Sequence, residues 1–388
     1  MLLQNKKIAI IGGGPGGLTL AKLLQLKEVN VNVYERDINK DARVQGSPLD
    51  LHEESGLAAI TEAGLLNEFK KNYMPGADRL QIMNEQAAVF FSDHEAKPEE
   101  NFGQEHFRPE ISRGALRRIL LESLEPETVI WDSHFVSMET QNDGWLLHFK
   151  NNKSVYADVV VAADGANSKI RPYITDIKAF YSGVTMLEGN IYNAGVTAPK
   201  INALLNGGKI MAFGKGKDLL MGQKDNGEIG FYASFKTDEK WAVNNGLNYS
   251  DKSQMLDWFK KEYSEWSDVW HELFESAVTP FVPRLIYCMP LDQTWESMPN
   301  MTMLGDAAHV MPPFAGEGVN AAMRDALEMS KRLTSNEYDS LQEAITVYET
   351  DMRERASAKA QESLENGERM HSENALEIML DFFGNHQK

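Results

Sequence analysis

Cysteine is almost absent from this chain: its 388 residues include one, Cys288. A single thiol forms no internal disulfide and cannot build a cysteine-based metal site. No histidine or acid flanks Cys288 closely, so it reads as a small core residue rather than a nucleophile. Positive charge is scarce too, with 39 Lys+Arg against 57 Asp+Glu and a net charge of −18. Such a balance repels phosphate backbones and anionic lipids, which argues against nucleic-acid and membrane partners. Long apolar runs are missing. The stretch Ile8–Ile11 is too short for a signal segment and ends in glycines, and nothing approaches the roughly 20 apolar residues of a membrane-spanning helix. Repeats and low-complexity tracts are also lacking. A cytoplasmic monomer with no metal is the expectation, and at about 100–200 residues per domain the length suggests two domains or one large one.

The first 35 residues read as strand, glycine turn, helix, strand. KKIAII leads into Gly12-Gly13-Gly14-Pro15-Gly16-Gly17, and a helical apolar stripe follows through Leu18, Leu20, Ala21, Leu23 and Leu24. In the G-x-G-x-x-G pattern, Gly12 permits the tight turn. Gly14 lets a pyrophosphate approach the backbone, and Gly17 lets the helix pack close to the strand. Glu35 ends the next strand, eighteen positions past Gly17, where an acid can hold a ribose hydroxyl pair. The motif alone leaves FAD and NAD both open.

Two later segments bear on that choice. In VVAADGANSKIR (160–171) an apolar strand ends at Asp164-Gly165. In LGDAAHVMPPFAGEGVN (304–320) another ends at Gly305-Asp306, and prolines and glycines follow before a helix opens. An aspartate at a strand end can accept a hydrogen bond from a ribityl hydroxyl. Backbone N–H groups at the start of the helix after Gly316 can stabilise negative charge on a reduced flavin ring. His309 has no partner in its local sequence and reads as a structural or hydrogen-bonding residue rather than an acid–base group.

The rest of the chain sets the architecture. Parallel-sheet material recurs near 6–35, 128–131, 157–164 and 301–306, and a β-rich block over 179–236 interrupts it. A nucleotide-binding domain with a second domain inserted explains this better than two sequential domains. The expected division is 1–72, 104–175 and 288–335 for the cofactor domain, 73–103 and 176–287 for the substrate domain, and 336–388 for C-terminal helices. Ser55 and Ser112 are the expected N-caps of two helices.

The three motifs in this order resemble the class A flavoprotein monooxygenases, the fold family of para-hydroxybenzoate hydroxylase. The resemblance implies an α/β protein with a Rossmann-like FAD-binding domain, an inserted β-sheet-rich substrate domain and long C-terminal helices. It implies FAD as cofactor and NADPH as transient co-substrate. Oxygen from O₂ would pass to an aromatic or polycyclic small molecule through a flavin C4a-hydroperoxide, with no catalytic side chain of the protein. The segments YERD…DARVQGSPLDLHEESGLAAITEAGLL, PEISRGALRRILLESL and GDAAHVMPPFAGEGVN are similar to the TetX-type monooxygenases that inactivate tetracycline antibiotics. Carried over, Glu35 and Arg36 meet the adenosine end and Arg43 lies in a loop tied to NADPH use. Asp50, Arg113, Asp164 and Asp306 contact FAD, with Pro313, Gly316, Gly318 and Asn320 around the ring.

The β-rich block departs from that pattern. Glu188, Lys209 and Gly230 stand where the TetX group holds its drug with Gln, Arg and His. Phe314 is retained, and Met211, Met221 and Phe231 are expected to add apolar pocket wall. Glu188 is expected to repel an ionised enolate and to favour a cationic group. Tetracycline is the candidate substrate. Alternatives left open are another FAD enzyme of this scaffold, such as a prenyl-chain reductase or an oxidase, a nicotinamide dehydrogenase, and a non-catalytic flavin- or drug-binding protein.

Overall fold

The computed structural model describes residues 2–42, 47–95, 102–104, 107–224 and 227–385. Its centre is a five-stranded parallel sheet in the order Met301–Met303, Val159–Ala162, Ile8–Ile11, Val31–Tyr34, Val129–Ile130. The first three are buried at every position, which is why they read as unbroken apolar runs: helices or other layers cover both faces. The glycine-turn helix Pro15–Gln25 packs against helix Gly318–Thr334. A three-stranded hairpin sheet, Phe135–Gln141, Gly144–Phe149 and Ser154–Ala157, lies in sequence between the parallel strands Val129–Ile130 and Val159–Ala162.

The second layer is a seven-stranded sheet. Its order is Val278–Cys288, Phe180–Ile191, Ile229–Lys236, Lys217–Gln223, Lys209–Gly214, Leu80–Asn84, Val89–Ser92. All neighbours are antiparallel except Lys209–Gly214 with Leu80–Asn84. Strand alternation gives this sheet two different faces. One carries Leu187, Ile210, Ala212, Leu219, Met221, Phe231 and Ala233 into a core closed by helices Pro199–Leu205, Lys252–Glu262 and His271–Ser276. The other carries Glu188, Asn190, Lys209, Met211, Leu220, Gly230 and Tyr232 toward the parallel-sheet domain. The expectation that Met221 and Phe231 line the pocket is therefore corrected. Met221 pairs with Ile210, not with Met211, and both Met221 and Phe231 point into the helix-covered core.

Ser112 caps helix Arg113–Glu122 by accepting from Ala115 N at 3.2 Å, as expected. Ser55 is no cap. The helical path begins earlier, as a wide turn at Glu53–Leu57, and the Ser55 hydroxyl donates to Asn320 instead. Helix Leu341–Met370 runs back over the 313–315 turn, and helix Ala375–Asn385 packs on the seven-stranded sheet. Cys288 is fully buried and burial pushes its thiol up to about 11, consistent with a core residue.

Candidate active site

Gly12 has φ +114°, and a Cβ on it would stand 2.2 Å from the Ala163 carbonyl oxygen. A Cβ on Gly17 would stand 2.2 Å from Gly12 O, so the helix can approach the strand only with glycine there. Gly14 differs: its Cβ position has nothing within 4 Å, the opening that a pyrophosphate needs at this helix N-terminus. Glu35, 2 % exposed, accepts from Gly13 N at 2.6 Å and Asp37 N at 3.0 Å. These bonds fix the carboxylate beside the glycine turn, at the end of the adjacent strand. Arg36 is exposed beside it, and Arg43 lies outside the described residues.

The two aspartate motifs are tied together by Arg171, the arginine of the ANSKIR segment. Its buried guanidinium donates to Ala307 O, Ala308 O and Gln293 Oε1 at 3.1, 2.7 and 2.7 Å. Asp164 Oδ2 accepts from Lys169 N at 2.7 Å, while the buried Oδ1 has no partner among the described residues. Burial lifts this carboxyl above its usual range. A buried acceptor without a donor suits a hydroxylated ligand. Asp306 opens the short helix Asp306–His309 and is solvent-exposed, yet protein surrounds it and raises its carboxyl, partly offset by the charges of His309 and Arg113. It thus lines an open cleft rather than the outer surface. His309 does not face that cleft freely: its Nε2 lies 2.5 Å from Asp325 Oδ2, which also accepts from Gly305 N at 3.0 Å. The histidine holds the turn that presents Asp306.

The turn Pro313–Ala315 and Gly316 lead into helix Gly318–Thr334. Pro313 is exposed, and the Cβ position of Gly318 meets open space. Asn320 is fully buried. It donates to Asp50 O and Gly316 O and accepts from His52 N, so it pins the 50–55 segment onto the helix start. Asp50 ends 3.3 Å from the Cβ position of Gly316. Beside it lies a cluster that sequence reasoning missed: His52 contacts both Asp50 and Glu317, and Lys359 pairs with Glu317 at 2.6 Å. Arg113 is exposed in the cleft, with Nε donating to Ser47 O at 3.0 Å.

The facing sheet supplies the opposite wall. Met211 and Leu220 are half-buried and pack in one cluster with Phe314. Lys209 does not project freely, because its ammonium is bonded to Glu110, a buried carboxylate. Glu188 corrects an expectation. Its Oε2 takes both Arg284 Nε and a second guanidinium nitrogen at 2.8 Å, so its charge is matched within the protein rather than left for a cationic substrate. Gly230 sits on this wall, and a Cβ there would meet Lys224 Cε at 2.5 Å.

The sequence profile of the FAD binding domain family matches residues 5–218 and 295–363. The chain belongs to the class A FAD-dependent monooxygenases. It is 30 % identical over 386 residues to monooxygenase asqM of Emericella nidulans, covering 86 % of this chain and 85 % of that one. It is 28 % identical to monooxygenase penA of Penicillium thymicola, covering 88 % and 90 %. It is 24 % identical to 6-hydroxynicotinate 3-monooxygenase of Pseudomonas fluorescens, covering 91 % and 89 %. Among solved structures, Klebsiella pneumoniae HpxO complexed with FAD and uric acid shares the fold at a TM-score of 0.75 and 19 % identity, covering 99 % and 93 %. The tetracycline destructase Tet(55) does so at 0.73 and 18 %, covering 95 % and 90 %.

A class A monooxygenase takes its electrons from NAD(P)H, and bound FAD supplies the redox chemistry and the activation of O₂. The open Cβ position of Gly14 and the unpartnered Asp164 Oδ1 fit that cofactor. The glycine turn and Glu35 would hold its adenosine end, and Asp164, Asp306 and Arg113 its middle. The 313–318 turn would meet its ring. No helix among the described residues is long and apolar enough to cross a membrane, and none of them form a metal-binding cluster.

Proposed function

We propose that this FAD-dependent aromatic monooxygenase, with NADPH as reductant, hydroxylates a flat aromatic or polycyclic compound, with tetracyclines as the candidate class. The observation that carries the reading is the apolar wall formed by Phe314, Met211 and Leu220 next to the flavin-side turn. Half-buried, these side chains can sandwich a planar ring at low cost in ordering. The role of the chain is then to bind and orient the ring and to exclude water while oxygen is transferred. The segments shared with the TetX group support a drug substrate, whereas the changes at Glu188, Lys209 and Gly230 support altered selectivity within polycyclic or aromatic compounds.

The test is an NADPH-oxidation screen with tetracycline and simple phenols under O₂, followed by mass spectrometry. A tetracycline product heavier by one oxygen atom supports the drug assignment. If no tetracycline gives that product while a simple aromatic does, the drug assignment fails and the narrower aromatic substrate takes its place.

A further inference from the structure

Lys224 is a buried lysine on the substrate side of the protein, 7 % exposed. It follows strand Lys217–Gln223, and its side chain folds over Gly230 on the face of the sheet that looks toward the parallel-sheet domain. From the Cβ position of Gly230, Lys224 Nζ is 3.0 Å away and Ser47 Oγ 3.3 Å. Ser47 belongs to the other domain, and its hydroxyl lies 3.2 Å from Tyr232 OH. The amine therefore sits in the cleft between the domains, among a serine, a tyrosine and Asn190.

That amine is under-satisfied. Its one hydrogen-bond partner among the described residues is Asn190 Oδ1 at 2.5 Å, and no carboxylate there is within ion-pair distance. An ammonium can donate three hydrogen bonds. Buried lysines without a counter-ion are costly and uncommon. Burial holds this one below the usual lysine range. The charges of Glu188 and Glu228 oppose it, and the Arg113 charge adds to it. Glu188 is already matched by Arg284. Lys224 is thus left without a carboxylate of its own among the described residues.

We infer that Lys224, in the space that Gly230 leaves open, recognises an anionic oxygen of the substrate, a carboxylate or an ionised phenol or enol, with Ser47 and Tyr232 as neighbouring hydrogen-bond partners. The inference rests on the reading of this cleft as the substrate site and sharpens it: the ring lies against Phe314, Met211 and Leu220, and its charged oxygen lies toward Gly230. It also explains why a glycine is found on this strand. Any side chain at 230 would take the volume of the amine.

The experiment is titration of the holoenzyme with three matched pairs of probes, followed by visible flavin absorbance. The pairs are 4-hydroxybenzoate with 4-hydroxybenzamide, 6-hydroxynicotinate with 6-hydroxynicotinamide, and salicylate with salicylamide. At least one acid should bind about 10-fold or more tightly than its amide, the range for one charge-assisted hydrogen bond. Lys224→Met should erase the preference by weakening the acid alone, and Lys224→Arg should keep part of it. Gly230→Ala retains the charge but displaces the amine, and should weaken the acid in the same sense. Flavin content and melting temperature of each variant report folding, and should Lys224→Met fail to fold, Gly230→Ala decides. Acids binding no better than amides, or no probe binding at all, overturns the inference. So does an acid preference that survives both Lys224→Met and Gly230→Ala. Should the preference depend on Lys224 while no probe or drug is oxygenated, the anion site stands and the proposed hydroxylation of this substrate class falls.

Discussion

The imidazole of His52 stands 3.0 Å from the Asp50 carboxylate, and its other nitrogen stands 3.6 Å from Glu317. Burial works against a charge on this ring, but its hydrogen bond to Asp50 and the nearby Glu317 carboxylate outweigh it and raise its pKa from 6.5 to about 9. Asp50, also opposed by burial, is held below its ordinary 3.8 by His52 and by the charge of Lys209. The raised histidine stabilises the fold fully below pH 6.5, and that contribution is lost as pH rises through about 9. The lowered aspartate contributes above 3.8 and loses its contribution as pH falls below it. His52→Gln should therefore cost stability, on the order of 1–3 kcal/mol near neutrality, and the difference should close above pH 9. Melting curves of both proteins across pH 5–10 check this. A pH-independent gap would mean that His52 is neutral.

Asp306 is presented to the cleft by a turn that Asp325 and His309 already hold. Its own carboxylate is exposed, so removing it should leave that turn intact. Asp306→Ala is expected to lower flavin occupancy much more than it lowers the melting temperature of the apoprotein, because a ligand contact acts through binding to the folded state. The ratio of flavin to protein absorbance and the apoprotein melt measure the two effects. Equal losses in apo- and holoprotein would make Asp306 structural.

What could be read from the sequence was what lies close together along it. The glycine turn, the Asp164 and Asp306 motifs and the Ser112 cap are each local, and their chemistry depends on spacings of a few residues. Met221 was misplaced although its information was also local. Across the hairpin it pairs with Ile210, one position off Met211, and alternation then sends the two methionines to opposite faces. Lys224 and His52 were not legible. Lys224 matters because it crosses to a neighbouring strand and fills the space above Gly230. His52 matters because Glu317, 265 positions away, lies beside it. Neither meeting leaves a local pattern. The role of Glu188 was misjudged for the same reason, since Arg284 reaches it from the adjacent strand.

Lys209 and Glu110 join the two layers of the molecule. Glu110 is 1 % exposed and one of its oxygens has no hydrogen-bond donor among the described residues, so its ion pair with Lys209 carries most of its compensation. The lysine is about a third exposed, which weakens the pair relative to a fully buried one. Lys209→Met should destabilise by about 1–3 kcal/mol by leaving a buried charge unpaired. Adding Glu110→Gln should recover most of that loss. Chemical denaturation of the four proteins of this double-mutant cycle measures the coupling. Additive losses would show that the two residues do not interact.

A second buried acid points the other way. Asp218 and His371 have fully buried side chains and approach to 3.2 Å, with Ser234 Oγ 2.6 Å from His371 Nε2. The Nδ1 of His371 lies 2.7 Å from the Gly367 carbonyl, which can only accept, so the proton sits on Nδ1 and Nε2 is left to accept. Burial pushes the Asp218 carboxyl well above 3.8 and holds His371 below 6.5. The geometry and these directions favour a neutral pair, in which Asp218 holds its proton to higher pH in the fold than in the unfolded chain. That costs stability increasingly as pH rises above 3.8, so an uncharged amide should be tolerated. Asp218→Asn is expected to melt close to the parent at pH 7 and to gain on it at pH 9. Asp218→Ala should lose about 1–3 kcal/mol by leaving polar neighbours unpaired. The cluster also supports Phe314, whose ring meets His371 edge-on at 5.5 Å, so Asp218→Ala should loosen the wall proposed to hold the substrate ring. More NAD(P)H oxidised per product formed would report that loosening. If Asp218→Asn loses as much stability as Asp218→Ala at every pH, the pair is ionised in the fold and the sign of its contribution is the reverse.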